Sequence, residues 1–319
     1  LDCNADIAGF KLREVMVMRI TNNMLINNVM LHLSNNLTRT LKYQNQLASG
    51  KKISVPSDDP IVASKALKLR TDVAEIKQYQ KNTDDATSWM EITEATMNQI
   101  NEVVQRFREI TVQAANGTNT TEDMQKICFE AKELKSQLIQ LANTTYAGRY
   151  LFSGYKTDKP LLDEDGNFNI NISNNEEIRF EIGIGDDINV NVPGSDLFNR
   201  GTDGEKGEKC SFVQTFDTII SAIESGDNEK VSSLLSDLDA EMDNLLRVRA
   251  GLGARMNRVE LTDNRLDDDY VNFTKLMSQN EDVDIAETIM NLYNEMSVYQ
   301  ASLATSSKVI QQSLVDYLS

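Results

Sequence analysis

The stretch from Leu235 to Met277, LSDLDAEMDNLLRVRAGLGARMNRVELTDNRLDDDYVNFTKLM, carries an apolar residue at every third or fourth position. Leu235, Leu238, Met242, Leu245, Leu252, Met256, Val259, Leu266, Tyr270, Phe273 and Met277 fall on one heptad stripe, interrupted only by Arg249 and Asp263. Such a stripe lies along one side of an α-helix and must be buried against other helices. It predicts one helix of about 50 residues, roughly 75 Å long at 1.5 Å per residue.

Outward from it the same period recurs. Met124, Ile127, Ala131, Leu134, Leu138 and Leu141 mark a second helix, and Trp89, Ile100, Val103, Phe107 and Ile110 a third. Another stripe, Ile285, Ile289, Leu292, Met296, Tyr299, Leu303, Ile310 and Tyr317, runs to the C-terminus. A weaker one, Ile26, Met30, Leu33, Leu37 and Leu47, lies near the N-terminus with Thr40 and Gln44 at seam positions, so it should be poorly stable alone. Between Gly148 and Gly207 the period changes to two: Phe168, Ile170, Ile172; then Ile178, Phe180, Ile182, Ile184; then Ile188, Val190, Val192. Asp165-Gly166, Asn174-Asn175 and Asp186-Asp187 supply the expected turns. The expected fold is mainly α: a long-helix bundle or coiled-coil rod formed by the N- and C-terminal halves, with a small antiparallel β insert. The domain expectation is a terminal coiled-coil layer (18–58 plus 281–319), a central bundle (59–157 plus 208–280) and the β insert (158–207).

Composition narrows the function. Lys and Arg number 32 against 49 Asp and Glu, a formal charge of −17, which argues against a nucleic-acid partner. No apolar run approaches the ~18 residues that cross a bilayer, so no membrane partner is expected, and the opening residues lack the apolar stretch of a secretory signal. Export, if it occurs, would use a signal-less route. Three cysteines, Cys3, Cys128 and Cys210, form no CxxC pair and define no disulfide framework.

His32 is the only histidine, which excludes an HExxH zinc site and leaves a nucleophile–histidine triad with no GxSxG to accompany it. Gly183-Ile-Gly185 is followed by Asp186 and Asp187, which repel phosphate, and reads as a hairpin turn. Asp163-Glu-Asp165-Gly166 puts Leu161 and Ile172 at the first and last positions of a calcium loop and reads as a turn. Trp89 and Cys128 fit apolar helix faces. No catalytic, metal or cofactor-binding residue is expected, no cofactor, and no enzyme. The functional signal is the pair of terminal stripes. Apolar stripes at both ends of a chain are buried either by assembly with further copies or by pairing within the chain, and periodicity leaves both open.

From Met18, MRITNNM and LASGKKISVPSDDPIVASKAL (Leu47–Leu67) resemble the N-terminal signature of the flagellin family. The resemblance continues in VVQRFREITVQAANGTNT (Val103–Thr120), RVRAGLGARMNRVE (Arg247–Glu260) and YQASLATSSKVIQQSLVDYL (Tyr299–Leu318); only the β insert lacks a motif. Pro56 and Pro60 around SDD, the run LANTTYAGRYLFSGYKTDKP (Leu141–Pro160) and the ending SLVDYL are more like the hook–filament junction members of that family than its filament subunits. The resemblance implies a structural subunit of the bacterial flagellum, outside the cell, forming a homo-oligomeric ring. Its implied partners are the first junction protein on the hook, flagellin and a flagellar export chaperone, with type III export of the unfolded chain. The alternatives are flagellin itself and a signal-less secreted binding module. Ile20, Met24, Leu33, Leu37, Leu292, Met296, Tyr299, Leu303 and Ile310 are the expected assembly contacts. Pro56, Ser57, Asp58, Asp59 and Pro60 are the expected hinge between layers. Leu1–Val17 has no counterpart in the resemblance and is expected to be a leader or a start-site artefact.

Overall fold

A computed structural model describes residues 22–116 and 120–315, with side chains described at 24–116 and 120–307. In chain order the elements are helices α1 (Asn22–Ser49), α2 (Pro60–Ala115) and α3 (Thr121–Ala142), then strands β1 (Thr145–Tyr146), β2 (Arg149–Tyr150), β3 (Arg179–Gly183) and β4 (Asp186–Asn189). Helices α4 (Gly194–Phe198), α5 (Ser211–Ser225), α6 (Asn228–Glu281) and α7 (Ile285–Val315) follow. The fold is mainly α, built of long helices from both halves of the chain, with two small antiparallel hairpins. No helix among the described residues is long and apolar enough to cross a membrane.

The chain divides into two compact units. One takes the described residues up to Leu69 together with those from Lys275 onward, and the other is Arg70–Thr274, so the boundary falls inside α2 and α6.

In the Arg70–Thr274 unit the heptad stripe of α6 behaves as its spacing predicts. Leu238, Leu245, Leu252, Val259 and Leu266 are buried, and Met242 and Met256 pack against the core. The two interruptions have different outcomes. Arg249 is compensated by Glu94 of α2, to which its Nε donates at 2.8 Å. Asp263 has no such partner: partial burial, with Asp267 and Asp84 nearby, pushes its carboxyl above the usual range. Phe107 of α2 stacks on Phe216 of α5 with ring centroids 3.7 Å apart, and both side chains are fully buried. Lys135 of α3 reaches Asp217 of α5 at 2.6 Å.

The β insert shares this core. Phe152, Leu161, Phe168, Ile182, Ile188 and Val192 belong to the same buried cluster as Phe107 and Leu245. Burial alternates along Phe168, Ile170 and Ile172 as the period of two predicts, but only isolated bridges form there, Leu162 to Phe168 and Ile172 to Gly204. The ladder is confined to β3 and β4. The expected turn at Asp186-Asp187 is corrected to Ile184-Gly185: Gly185 has φ +70°, a conformation that suits glycine, and the two aspartates lie on β4. Ile184, expected to point inward, is consequently 88% exposed at the hairpin tip. The aspartates bind arginines instead, Asp186 pairing with Arg258 of α6 and Asp187 with Arg179 of β3. Gly166, at the Asp163–Asn167 turn, has φ +86°, and a Cβ there would lie 2.5 Å from Val213.

Two substitutions test this account. Phe107→Ala removes half of the stacked pair and leaves a cavity, so urea unfolding of the purified chain should show a loss of about 3–5 kcal/mol. Asp263→Leu completes the stripe of α6 and should raise the thermal midpoint. Because a carboxyl whose folded pKa is raised binds its proton more tightly in the folded state, the wild type should lose stability as pH rises through that pKa, and the variant should lose less.

Candidate functional site

The terminal helices form the other unit. Helix α1 and helix α7 run antiparallel, held at one end where the two inter-helix connections cross. Lys51 pairs with Asp282 as an antiparallel bridge, the Lys52 amide donates to the Glu281 carbonyl at 2.7 Å, and the Val283 amide donates to the Gly50 carbonyl at 3.1 Å. Lys51 Nζ lies 2.7 Å from Asp282 and 3.6 Å from the buried carboxylate of Glu281, and its contact holds the Asp282 carboxyl below its ordinary range.

The predicted hinge segment lies beside this crossing. Pro56–Asp58 form a turn, in which the Asp58 amide donates to the Val55 carbonyl at 3.0 Å. The Asp58 carboxylate accepts from the backbone amides of Ser54 and Val55, which hold its pKa down. Asp59 accepts from the amides of Ile61 and Val62 at 3.0 and 3.1 Å, making it the N-cap of α2, and Pro60 stands at the first helical position, where its missing N–H costs nothing. Ser57 is exposed within the turn. Asp284 caps α7 in the same way through Ala286 and Glu287.

The seam between α1 and α7 is more polar than the apolar stripes suggest. On α1 the positions turned inward are Ile26, Val29, Leu33, Asn36, Thr40, Tyr43 and Leu47. On α7 they are Thr288, Leu292, Glu295, Tyr299, Ser302 and Ser306. The only buried side chains on the two helices, among those described, are polar: Asn36 and Thr288. Asn36 donates to Ser302 at 2.9 Å, and Arg39 lies 3.4 Å from Glu295.

The predicted assembly residues therefore divide. Leu33, Leu292 and Tyr299 are half-buried in the intramolecular seam. Met24, Leu37, Met296 and Leu303 are exposed, from 41% for Met296 to 48% for Met24. Ile20, the Ile310 side chain and the segment Leu1–Val17 lie outside the described residues.

Met30 and Leu37 on α1, and Ile289, Met296 and Leu303 on α7, all follow an inward position by one residue. On antiparallel helices that offset, about 100° in the same rotational sense, puts both sets on one side of the pair. The result is an apolar side, open to solvent, shared by two helices. Spacing alone missed the polar seam residues Asn36, Glu295 and Ser302. Their signal was present as a second 3-4 register that shares Leu33, Leu292 and Tyr299 with the apolar one and moves the alternate positions back by one residue.

Fold and site together define a helical structural protein whose terminal pair carries an exposed apolar face. Residues 20–157 match the bacterial flagellin N-terminal helical region and residues 235–318 the C-terminal helical region. The chain is 30% identical over 304 residues to flagellar hook-associated protein 3 of Escherichia coli K12, covering 89% of this chain and 95% of that protein. It is 28% identical over 306 residues to the flagellin of Bacillus subtilis 168, covering 92% and 97%. The crystal structure of Bacillus cereus FlgL shares the fold, with a TM-score of 0.56 at 23% identity over 66% of this chain and 99% of that one. The chain belongs to the flagellin family and is a structural protein of the bacterial flagellum.

The capped turn is open to a direct test. Asp59→Ala should cost about 1 kcal/mol through loss of the N-cap, read by chemical denaturation. Asp58 has a depressed folded pKa, so its contribution is present above the unfolded carboxyl pKa and fades as pH falls through the folded value. Asp58→Asn should flatten that acid limb in thermal scans run downward from the ordinary Asp range near pH 4.

Proposed function

We propose that this chain is the subunit of the hook–filament junction: a ring of copies seated on the first junction protein of the hook, onto which flagellin then adds. The observation that carries this reading is the solvent-exposed apolar side of the α1–α7 pair. An unburied stripe of Met30, Leu37, Ile289, Met296 and Leu303 on a monomer gains its hydrophobic stabilisation only when further subunits cover it. Likeness to hook-associated protein 3 over nearly its whole length supports the junction role. So do Pro56 and Pro60 around SDD, the Leu141–Pro160 run and the SLVDYL ending.

In this reading residues 18–58 and 281–319 form the assembly layer, 59–157 and 208–280 the bundle, and 158–207 the insert. Leu33, Leu292 and Tyr299 set the pairing of the terminal helices, whereas Met24, Leu37, Met296 and Leu303 contact neighbouring copies. Ile20 and Ile310, which share the heptad spacing in the sequence, belong to the same proposed set of contacts. The turn Pro56-Ser57-Asp58-Asp59-Pro60 acts as the hinge through which the assembly layer adjusts on joining the ring. The chain travels unfolded through the flagellar type III apparatus with an export chaperone and functions outside the cell. It catalyses no reaction and takes no cofactor.

Seeded assembly tests the proposal. Purified protein is added to isolated hooks carrying the first junction protein, followed by flagellin, and the products are viewed by negative-stain electron microscopy. The expected product is a short cap of fixed length that then accepts flagellin, and Met296→Asp combined with Leu303→Asp should reduce deposition at least tenfold while leaving the bundle folded. Filaments that keep growing from this protein alone would mark a filament subunit, and no deposition on competent hooks would mark a binding module.

A further inference from the structure

We infer that the helices seat the β insert by its main chain: Asn82 of α2, Asn143 at the end of α3, and Asn244 and Arg255 of α6 form a socket that fixes where the insert lies on the bundle, whatever charged side chains it displays outward. All of these side chains come from outside the insert, and each donates to its carbonyl oxygens. Asn82 Nδ2 reaches the Glu181 carbonyl at 2.7 Å. Asn143 Nδ2 reaches that of Leu162 at 2.8 Å, while its Oδ1 accepts from the Leu162 amide at 3.0 Å. Asn244 Nδ2 lies 2.9 Å from the Asp196 carbonyl and 3.2 Å from that of Leu197. Arg255 Nη1 donates to Asn189 at 3.2 Å and to Asn191 at 3.1 Å.

The end of the ladder explains why these donors are needed. Pairing of β3 with β4 stops at Asn189, and from Val190 to Phe198 every residue except Asp196 is buried as the chain turns into α4. Buried carbonyls beyond a ladder must find donors elsewhere, and α6 supplies them. Arg255 is half-buried, and its guanidinium hydrogen-bonds to carbonyls, these two and Gly251 of its own helix at 3.4 Å, while Glu177 and Asp196 act on it through charge. A carbonyl oxygen is present at every residue, so a contact made to it demands no particular side chain. The apolar side chains under the insert, among them Phe168, Ile188 and Val192, join the common core, but hydrophobic burial is non-directional and sets no orientation. The insert's charged contacts with α6, Asp186 with Arg258 and Asp196 with Arg247, use arginines whose side chains are 53% and 60% exposed. Exposed pairs of that kind shift an opening equilibrium by no more than about fivefold. Stripping the donor from a buried carbonyl shifts it roughly 5- to 150-fold.

The seat lies wholly within the Arg70–Thr274 unit, so its test needs no assembly and holds whatever becomes of the junction role. Native-state hydrogen exchange of the full chain is followed by mass spectrometry, which reads local opening segment by segment. Asn244→Leu combined with Arg255→Met removes the donors of α6 at similar volume. Exchange over 188–198 should rise at least about tenfold, while segments around Phe107 and Phe216 keep their protection. Asp186→Asn, Asp187→Asn and Asp196→Asn together remove the insert's charges but keep its main chain, and exchange over 188–198 should stay within about threefold of wild type. Arg255→Lys, which keeps a charged donor, should recover part of the protection that Arg255→Met loses. A change within threefold in the first variant overturns the inference, as does an equal loss of protection in the charge-stripped one. If the first variant loosens the segments around Phe107 and Phe216 as well, Asn143→Ala decides: a local rise of about tenfold over 160–170 supports the socket, and an unchanged rate there overturns it.

Discussion

An apolar stripe on a helix can be buried against one surface only, and the pairing of α1 with α7 is arranged so that most of it is not used up within the chain. The seam takes Leu33, Leu292 and Tyr299 but fills its centre with Asn36, Ser302 and Glu295. Met30, Leu37, Met296 and Leu303 stay in solvent on one side. The hydrophobic gain from covering those side chains, about 25 cal/mol for each Å² removed from water, is therefore not realised in the α1–α7 pairing. Polar pairing at the seam adds little net stabilisation, since hydrogen bonds exchanged with water contribute only about 1 kcal/mol each.

The Arg70–Thr274 unit follows the opposite arrangement. Its stripes are spent internally: Leu238, Leu245, Leu252 and Val259 of α6 meet the stacked Phe107 and Phe216, and the insert closes the same core through Phe168 and Ile188. The insert is fastened to α6 by charge as well as by burial. Arg258 pairs with Asp186, and Arg255, half-buried with its pKa lowered by desolvation, donates to the carbonyls of Asn189 and Asn191. Those arginines belong to the RVRAGLGARMNRVE segment that carries part of the family resemblance, so one motif serves helix packing and insert docking together.

The crossing of the two connections joins these requirements in the terminal unit. Lys51 bridges Asp282 and Glu281, while Asp59 and Asp284 each cap the helix that follows. Paired backbone, a buried carboxylate and two capped starts define where α1 and α7 meet. The turn at Pro56–Asp58 is held by its own backbone and by the Asp58 carboxylate.

Local periodicity marked α1, α3, α6, α7 and the C-terminal half of α2, and with them the class of fold, because a 3-4 spacing of apolar residues is a property of one segment and survives any packing partner; it gave no stripe for α5 or for α2 before Trp89. The 43-residue stripe from Leu235 to Met277 became the buried face of a 54-residue helix, and motifs from Met18 to Leu318 carried the family. Two kinds of feature escaped that reading. The hairpin turn moved from Asp186-Asp187 to Ile184-Gly185, because Arg258 of α6 and Arg179 of β3 claimed the two aspartates and Gly185 accepted a positive φ. The division of the terminal residues into seam and exposed side was equally invisible. Two registers one residue apart fit the same heptad, and only the antiparallel partner, by matching Asn36 to Ser302 and Arg39 to Glu295, decides which register faces inward.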